Sequence, residues 1–309
     1  MSPSVRGLDG KKPDKGFIIV RILLFGRNGQ VASAFEEEAR RGHHVAVLGR
    51  AEADLLKEGA ATKAICAHAP DIIINAAAYT AVDKAEEEQE IATRLNTAAA
   101  EEIAIAAKQA GAHFIHISTD YVFDGEKSEP YLENDQTRPL GVYGATKCAG
   151  EAAVLKALPE AIIIRTSWVF SEFGENFVKT MLRLAGKGKA LNIVDDQIGG
   201  PTAARDIARA ALVIAGKKTR GAPGAGIYHF QGSPAVSWAA FAAKIFEISG
   251  AEIAVNPITT TQYPTPAQRP LNTVLDCSKM ERDFGVAQPD WRTSLRQTIA
   301  ALNAKDSIS

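Results

Sequence analysis

The run Arg21-Ile22-Leu23-Leu24-Phe25, followed at once by Gly26-x-x-Gly29-x-x-Ala32, leaves this chain few folds. An uninterrupted apolar run marks a strand buried on both faces, which belongs to a parallel sheet covered by helices. The glycine spacing then reads as a tight turn that opens a helix. Gly26 permits the turn, Gly29 lets backbone approach a pyrophosphate, and the small Ala32 lets helix pack on strand. Unpaired N–H groups at a helix start favour an anion, so Gly26 and Gly29 are expected to bind a dinucleotide cofactor.

Strands at 44–48, 71–75, 113–117 and 162–164 continue the pattern, separated by a turn and helix at 26–41, one long helix at 85–110 and a helix at about 142–158. This alternation predicts an α/β fold with a doubly wound parallel sheet of Rossmann type over residues 20–168. Strand segments near 190–196 and 226–231 are expected to complete that sheet. From Val169 onward the strands shorten and polar loops intervene. Residues 169–309 are therefore expected to form mainly a second, smaller α/β substrate domain against the carboxyl edge of the sheet. Residues 1–19 read as a flexible leader. Arg21 interrupts the apolar run that begins at Phe17, and no small-x-small cleavage site follows, which argues against a signal peptide.

A length of 309 residues suits about two domains. With Lys+Arg 35 against Asp+Glu 36, the net charge of −1 offers no basic footprint for nucleic acid. No apolar stretch approaches the roughly 18 residues of a membrane span. Cys66, Cys148 and Cys277 are too scattered for a disulfide framework or a structural zinc site, which fits a reducing cytoplasm. His43, His44, His113 and His116 lead into or sit within apolar strand patterns, so packing or surface roles are expected and no metal site. The expected partner is a small molecule; oligomeric state stays open, a homodimer included.

The second strand ends Leu48-Gly49-Arg50, and the Arg50 guanidinium is placed to receive a 2′-phosphate, which leans toward NADPH over NADH although Glu52 is close by. Tyr143-x-x-x-Lys147 puts both side chains on one face of the helix after the fourth strand. Ser118-Thr119-Asp120 stands at that strand's carboxyl end. Together they read as a carbonyl-reduction site, because hydride arriving at a ketone leaves charge on oxygen that needs a proton and hydrogen bonds. Tyr143 would supply the proton, Lys147 would lower its pKa and bind the nicotinamide ribose, and Thr119 would hold the substrate oxygen. Asp83 and Glu86, three apart at a helix start, suggest a capping box, and Asn96 a buried, hydrogen-bonded amide.

Longer segments carry a resemblance: residues 75–86 (NAAAYTAVDKAE), 118–125 (STDYVFDG), 139–147 (PLGVYGATK), 165–170 (RTSWVF), the Asp196-Gln197-x-Gly199-x-Pro201-Thr202 pattern and 263–270 (YPTPAQRP). With the glycine motif and Tyr-x-x-x-Lys, the chain resembles the extended short-chain dehydrogenase/reductase superfamily and, over 21–302, its dTDP-4-dehydrorhamnose reductase family. The resemblance implies reduction of the C4 ketone of dTDP-4-dehydro-6-deoxy-L-mannose to dTDP-L-rhamnose by NAD(P)H, with Tyr143 protonating O4. It implies that Gly29, Gln30 and Val31 touch the pyrophosphate, Asp54 and Leu55 the adenine, and Ala78, Tyr79 and Thr80 the cofactor at the third strand's end. It places Thr119 and Asp120 on the sugar, Trp168 as a flat substrate-side surface, and Asn176, Gln197 and Arg269 on the nucleotide or diphosphate. Some family members hold magnesium at a dimer contact through an acidic residue of the first helix; Ala34 stands there, so that metal is not expected. Gly49 replaces an acidic ribose ligand, which favours NADPH or dual use. An epimerase or dehydratase with tightly bound NAD, and a non-catalytic regulatory subunit of the methionine adenosyltransferase type, are the alternatives.

Overall fold

The computed structural model describes residues 20–39 and 44–306. The leader at 1–19 and His43 lie outside the described residues. In chain order the first half runs β1 (Arg21–Phe25), α1 (Gln30–Ala39), β2 (His44–Leu48), α2 (Ala60–His68), β3 (Ile72–Asn75), α3 (Val82–Ala85), α4 (Gln89–Thr93), α5 (Ala99–Ala110), β4 (His113–Thr119), α6 (Val142–Ala157) and β5 (Ile162–Thr166). The second half adds β6 (Val169–Phe170), α7 (Phe177–Ala185), β7 (Leu191–Val194), β8 (Ile198–Gly199), β9 (Thr202–Ala203), α8 (Ala204–Lys218), β10 (Gly226–His229), β11 (Val236–Ser237), α9 (Trp238–Ser249), β12 (Val255–Ile258), α10 (Ser278–Phe284) and α11 (Trp291–Asp306).

Six strands form a parallel sheet in the order β10-β5-β4-β3-β1-β2. The chain runs outward from β1 to β2 and returns to β3 on the far side of β1. Open α/β sheets form their binding crevice at such a switch point, beyond the carboxyl ends of the strands. Both faces of the sheet are covered, as the apolar runs require. In β1, Leu23 and Phe25 pack with Ile65 of α2 and Ile103 of α5, whereas Ile22 and Leu24 pack with Phe35 of α1 and Ile207 of α8. Ile72, Ile73 and Ile74 of β3 are wholly buried, each stabilising the fold by about 1.5–3 kcal/mol relative to exposure. A separate core of Phe170, Val178, Met181, Phe241, Ile245, Trp291 and Leu295 supports the other wall of the crevice.

Two expectations need correction. The segment near 190–196 does not join the central sheet: β7 pairs parallel with β12, Leu191 opposite Val255, in a two-stranded sheet of its own. Its side chains pack into the second core instead, Leu191 and Ile193 among them. The sixth strand of the main sheet is β10, hydrogen-bonded to β5. The long helix expected at 85–110 is broken after α3, and a π-helical turn at Arg94–Ala98 separates α4 from α5. Helix α6 crosses this turn so closely that a Cβ on Gly150 would stand 2.1 Å from the Asn96 carbonyl oxygen, and π turns of this kind often mark functional sites.

Candidate active site

A crevice of about 760 Å³ opens beyond the carboxyl ends of β1 to β5. Gly26, Gly49, Ala78, Thr119, Tyr143 and Lys147 line one side, and Trp168, Asn176 and Trp238 the other.

Helix α6 carries Tyr143 and Lys147 and is fixed from several directions. Glu86 Oε1 accepts the N–H of Val142 at 2.8 Å, satisfying a first-turn donor and placing negative charge at the helix N-terminus. The expected Asp83/Glu86 capping box is therefore absent: Ala81, the N-cap of α3, offers no side-chain cap, and Asp83 Oδ1 accepts from Ala267 N at 3.1 Å. Asn96, buried in the π turn, accepts from Tyr79 N at 2.8 Å and donates to Thr146 Oγ1 at 3.0 Å. A Cβ on Gly144 would lie 2.2 Å from the Tyr121 carbonyl oxygen, so glycine there lets the helix seat against the turn that follows Thr119.

The electrostatics follow from burial. Burial pushes the Tyr143 phenol up to about 12, with the Thr119 hydroxyl opposing. Burial pulls Lys147 down to about 8, with Glu151 opposing. Lys147 Nζ donates to the Ile117 carbonyl at 2.7 Å and stands 3.2 Å from Nε2 of His116, which burial keeps neutral. The balance on the Tyr143 phenol is thus upward, from burial, and the expected lowering by Lys147 does not appear in it. Thr119 Oγ1 donates to Asp120 Oδ1 at 3.1 Å and accepts from Tyr121 N at 3.2 Å. Burial raises Asp120 to about 6. Among the described residues, Asp120 Oδ2 and Thr166 Oγ1 are buried without a hydrogen-bond partner, and both residues line the crevice. Such atoms call for a polar ligand. Beneath them Arg165 pairs with Glu151 at 2.6 Å, and Glu151 also accepts from Ser118 Oγ.

At the other end, Gly29 N–H closes on Gly26 O at 2.9 Å, which leaves the first turn of α1, from Gln30 and Val31, to face an anion. Gln30 does more than that. Its amide donates to Val169 O at 3.3 Å and accepts from Ser171 Oγ at 2.8 Å and Asn176 Nδ2 at 3.0 Å, tying α1 to the second half. Asn176 also caps α7 by accepting from Lys179 N at 3.2 Å. Arg50, Asp54 and Leu55 line the crevice, with Arg50 3.5 Å from Asp54. Ala78 and Thr80 line it too. Trp168, at a φ of 44°, stacks on Trp238 with ring centroids 3.5 Å apart. Three further expected residues have their side chains engaged by other protein groups. The Tyr79 hydroxyl donates to Glu88 at 2.6 Å, Gln197 donates to Thr260 Oγ1 at 3.1 Å, and Arg269 pairs with Asp83 at 2.9 Å. No group of three or more metal-ligating side chains occurs among the described residues.

The sequence profile described as "RmlD substrate binding domain" matches residues 20–304. The chain belongs to this family. A dTDP-4-dehydrorhamnose reductase of Sinorhizobium fredii is 47% identical over 289 residues, covering 92% of this chain and 98% of that protein. The crystal structure of a dTDP-4-dehydrorhamnose reductase from Clostridium acetobutylicum superposes with a TM-score of 0.87 at 36% identity, covering 92% of this chain and 99% of that one. That of the Bacillus anthracis dTDP-4-dehydrorhamnose reductase, in complex with NADP, gives 0.86 at 32% identity, covering 92% and 100%.

Within this RmlD family fold, sequence reasoning passed over crevice residues such as Arg27, Thr166 and Trp238. Arg27 lies inside the glycine motif, where attention goes to the glycines. Trp238 follows Ser237, whose side chain caps α9 by accepting from Ala240 N at 3.0 Å. A Ser-Trp pair gives no sign that the ring will meet another tryptophan seventy positions away.

Proposed function

We propose that the protein reduces the C4 ketone of dTDP-4-dehydro-L-rhamnose to the alcohol of dTDP-L-rhamnose, with hydride supplied by NADPH or NADH. The observation that carries this reading is a half-buried Tyr143 beside Thr119, one helical turn from Lys147, in a crevice whose opposite end is a glycine turn and helix N-terminus, in a chain of the RmlD family. The dinucleotide, when bound, delivers hydride to C4. First-turn N–H groups of α1 hold its pyrophosphate, and Lys147 holds a ribose hydroxyl at the base of the crevice. The Thr119 hydroxyl donates to the ketone oxygen, and the Tyr143 phenol gives its proton to the developing alkoxide, a stronger base than itself. Asp120 Oδ2 accepts from a sugar hydroxyl, and the Trp168 ring offers a flat face to sugar or thymine. Residues 20–168 with β10 serve the cofactor, and most of 169–309 the sugar nucleotide. A reducing cytoplasm as the working compartment is supported by three free thiols, Cys66 exposed among them. No helix among the described residues is long and apolar enough to cross a membrane.

The test is to mix the protein with NADPH and freshly prepared dTDP-4-dehydro-L-rhamnose, following dinucleotide absorbance and product identity. Stoichiometric oxidation with dTDP-L-rhamnose formed is expected. No oxidation overturns the reading, and sugar conversion without net loss of NADPH replaces it with an epimerase.

A further inference from the structure

Behind Lys147 runs a chain of buried side chains that the proposed chemistry leaves unused. Asn75 ends β3, His116 is its register partner on β4, and both are wholly buried. The Asn75 amide has its orientation fixed, because Oδ1 accepts the Ala77 N–H at 3.1 Å. Its Nδ2 is then the atom that faces His116 Nδ1, at 3.2 Å. An amide nitrogen only donates, so Nδ1 accepts and the ring proton sits on Nε2. Nε2 in turn stands 3.2 Å from Lys147 Nζ. An ammonium has three donors and no acceptor, so an N–H aimed at it sets donor against donor, whereas a free amine has a lone pair to receive it.

The groups packed around the amine point the same way. Lys147 Nζ donates to the Ile117 carbonyl at 2.7 Å, which either protonation state can do. Burial disfavours the charged state. Glu151, one turn along the same helix, favours it, but the Glu151 charge is already matched by Arg165 of β5 at 2.6 Å. The charge of Asp120, past the end of β4, bears on Tyr143. Resting on the reading of Lys147 as the residue that holds a ribose hydroxyl, we propose that Asn75 and His116 are positioning residues that keep Lys147 a free amine. Its lone pair is taken by His116 and one N–H by Ile117, and the remaining N–H is left for the ribose. Lys147 then orients the dinucleotide by one directed hydrogen bond rather than by charge.

Nuclear magnetic resonance of the full chain with isotope-labelled histidine reads the tautomer directly, from which ring nitrogen carries the proton, the His116 signal being assigned through its own backbone. At pH about 7 the wild type is expected to show a neutral His116 ring protonated on Nε2. An Nδ1-protonated or doubly protonated ring overturns the assignment, and this readout needs no variant to fold. Asn75→Asp replaces the amide donor by an acceptor and is expected to move the proton to Nδ1; a ring still protonated on Nε2 there overturns the role of Asn75. Lysine side-chain carbon shifts followed against pH give the second readout. A glutamine amide can turn its oxygen to an ammonium, so His116→Gln is expected to raise the Lys147 titration midpoint by about one pH unit or more, about tenfold in its ionisation constant. A midpoint within about 0.3 unit of wild type overturns the role of His116. Both measurements read protons without turnover, so failure to reduce the sugar nucleotide overturns the proposed reaction and leaves this chain of hydrogen bonds in place.

Discussion

Glu151–Arg165, which joins the helix bearing Tyr143 to β5, and Arg27–Glu52 at the end of β2 are both carboxylate–guanidinium pairs. The first is 3–4% exposed, with its remaining valences taken by Ser118 and a 3.5 Å approach of His229. The second is 39–47% exposed and shares its donors with backbone. A dry, satisfied pair resists rearrangement because either partner alone is an uncompensated buried charge. A wet pair is screened and replaceable. Beneath Thr119 the surroundings are locked; at the end of β2 they can re-pair.

The sharpest way to break that contrast is Arg165→Met, which strands the Glu151 charge and is expected to lower stability by about 3–5 kcal/mol in denaturant titration. The double change Arg165→Met with Glu151→Leu is expected to recover most of it. A single variant as stable as wild type would show that water reaches the pair. Tyr143→Phe comes next: turnover is expected to fall on the order of 10²-fold or more, with the denaturation midpoint unmoved. Turnover close to wild type would mean that another group supplies the proton.

How much of this the sequence could foretell depends on the range of the forces involved. Apolar runs such as Ile72-Ile73-Ile74 announce themselves because both faces of a parallel strand must be covered. The turn after β1 and the one-turn spacing of Tyr143 and Lys147 are likewise local. The π turn at Asn96, which lies against Gly150 of another helix, has no such local signal. Nor was the pairing of β7 with β12, two four-residue strands whose partner is chosen by the second core. The electrostatics differ for a similar reason. The Tyr143–Lys147 spacing suggests a cation lowering a phenol, whereas burial, a property of the whole fold, pushes it up.

Asp120 offers a smaller test of that same dryness. Folding raises its pKa from about 4 in an unfolded chain to about 6. Between those values the native state holds more protons than the unfolded one, so stability falls as pH climbs through this window and is level above it. The loss is expected to be about 2–3 kcal/mol, and Asp120→Asn should remove the slope. A wild-type curve flat from pH about 4 to about 6 would show Asp120 to be solvated. The smallest effect is expected for Arg27→Met, whose denaturation midpoint should match wild type within error at both low and high salt. A salt-dependent loss would mean that the wet pair also braces the fold.

Gln30 joins these regions in another way. One amide at the start of α1 holds Val169, Ser171 and Asn176 of the opposite wall, so the helix proposed to meet the pyrophosphate and the loop proposed to face the sugar nucleotide are tied together. Thermodynamic linkage then requires reciprocity: by whatever factor a bound dinucleotide sharpens affinity for the sugar nucleotide, the sugar nucleotide must sharpen affinity for the dinucleotide. The order in which the two ligands arrive can change the rate of assembly, and never its depth.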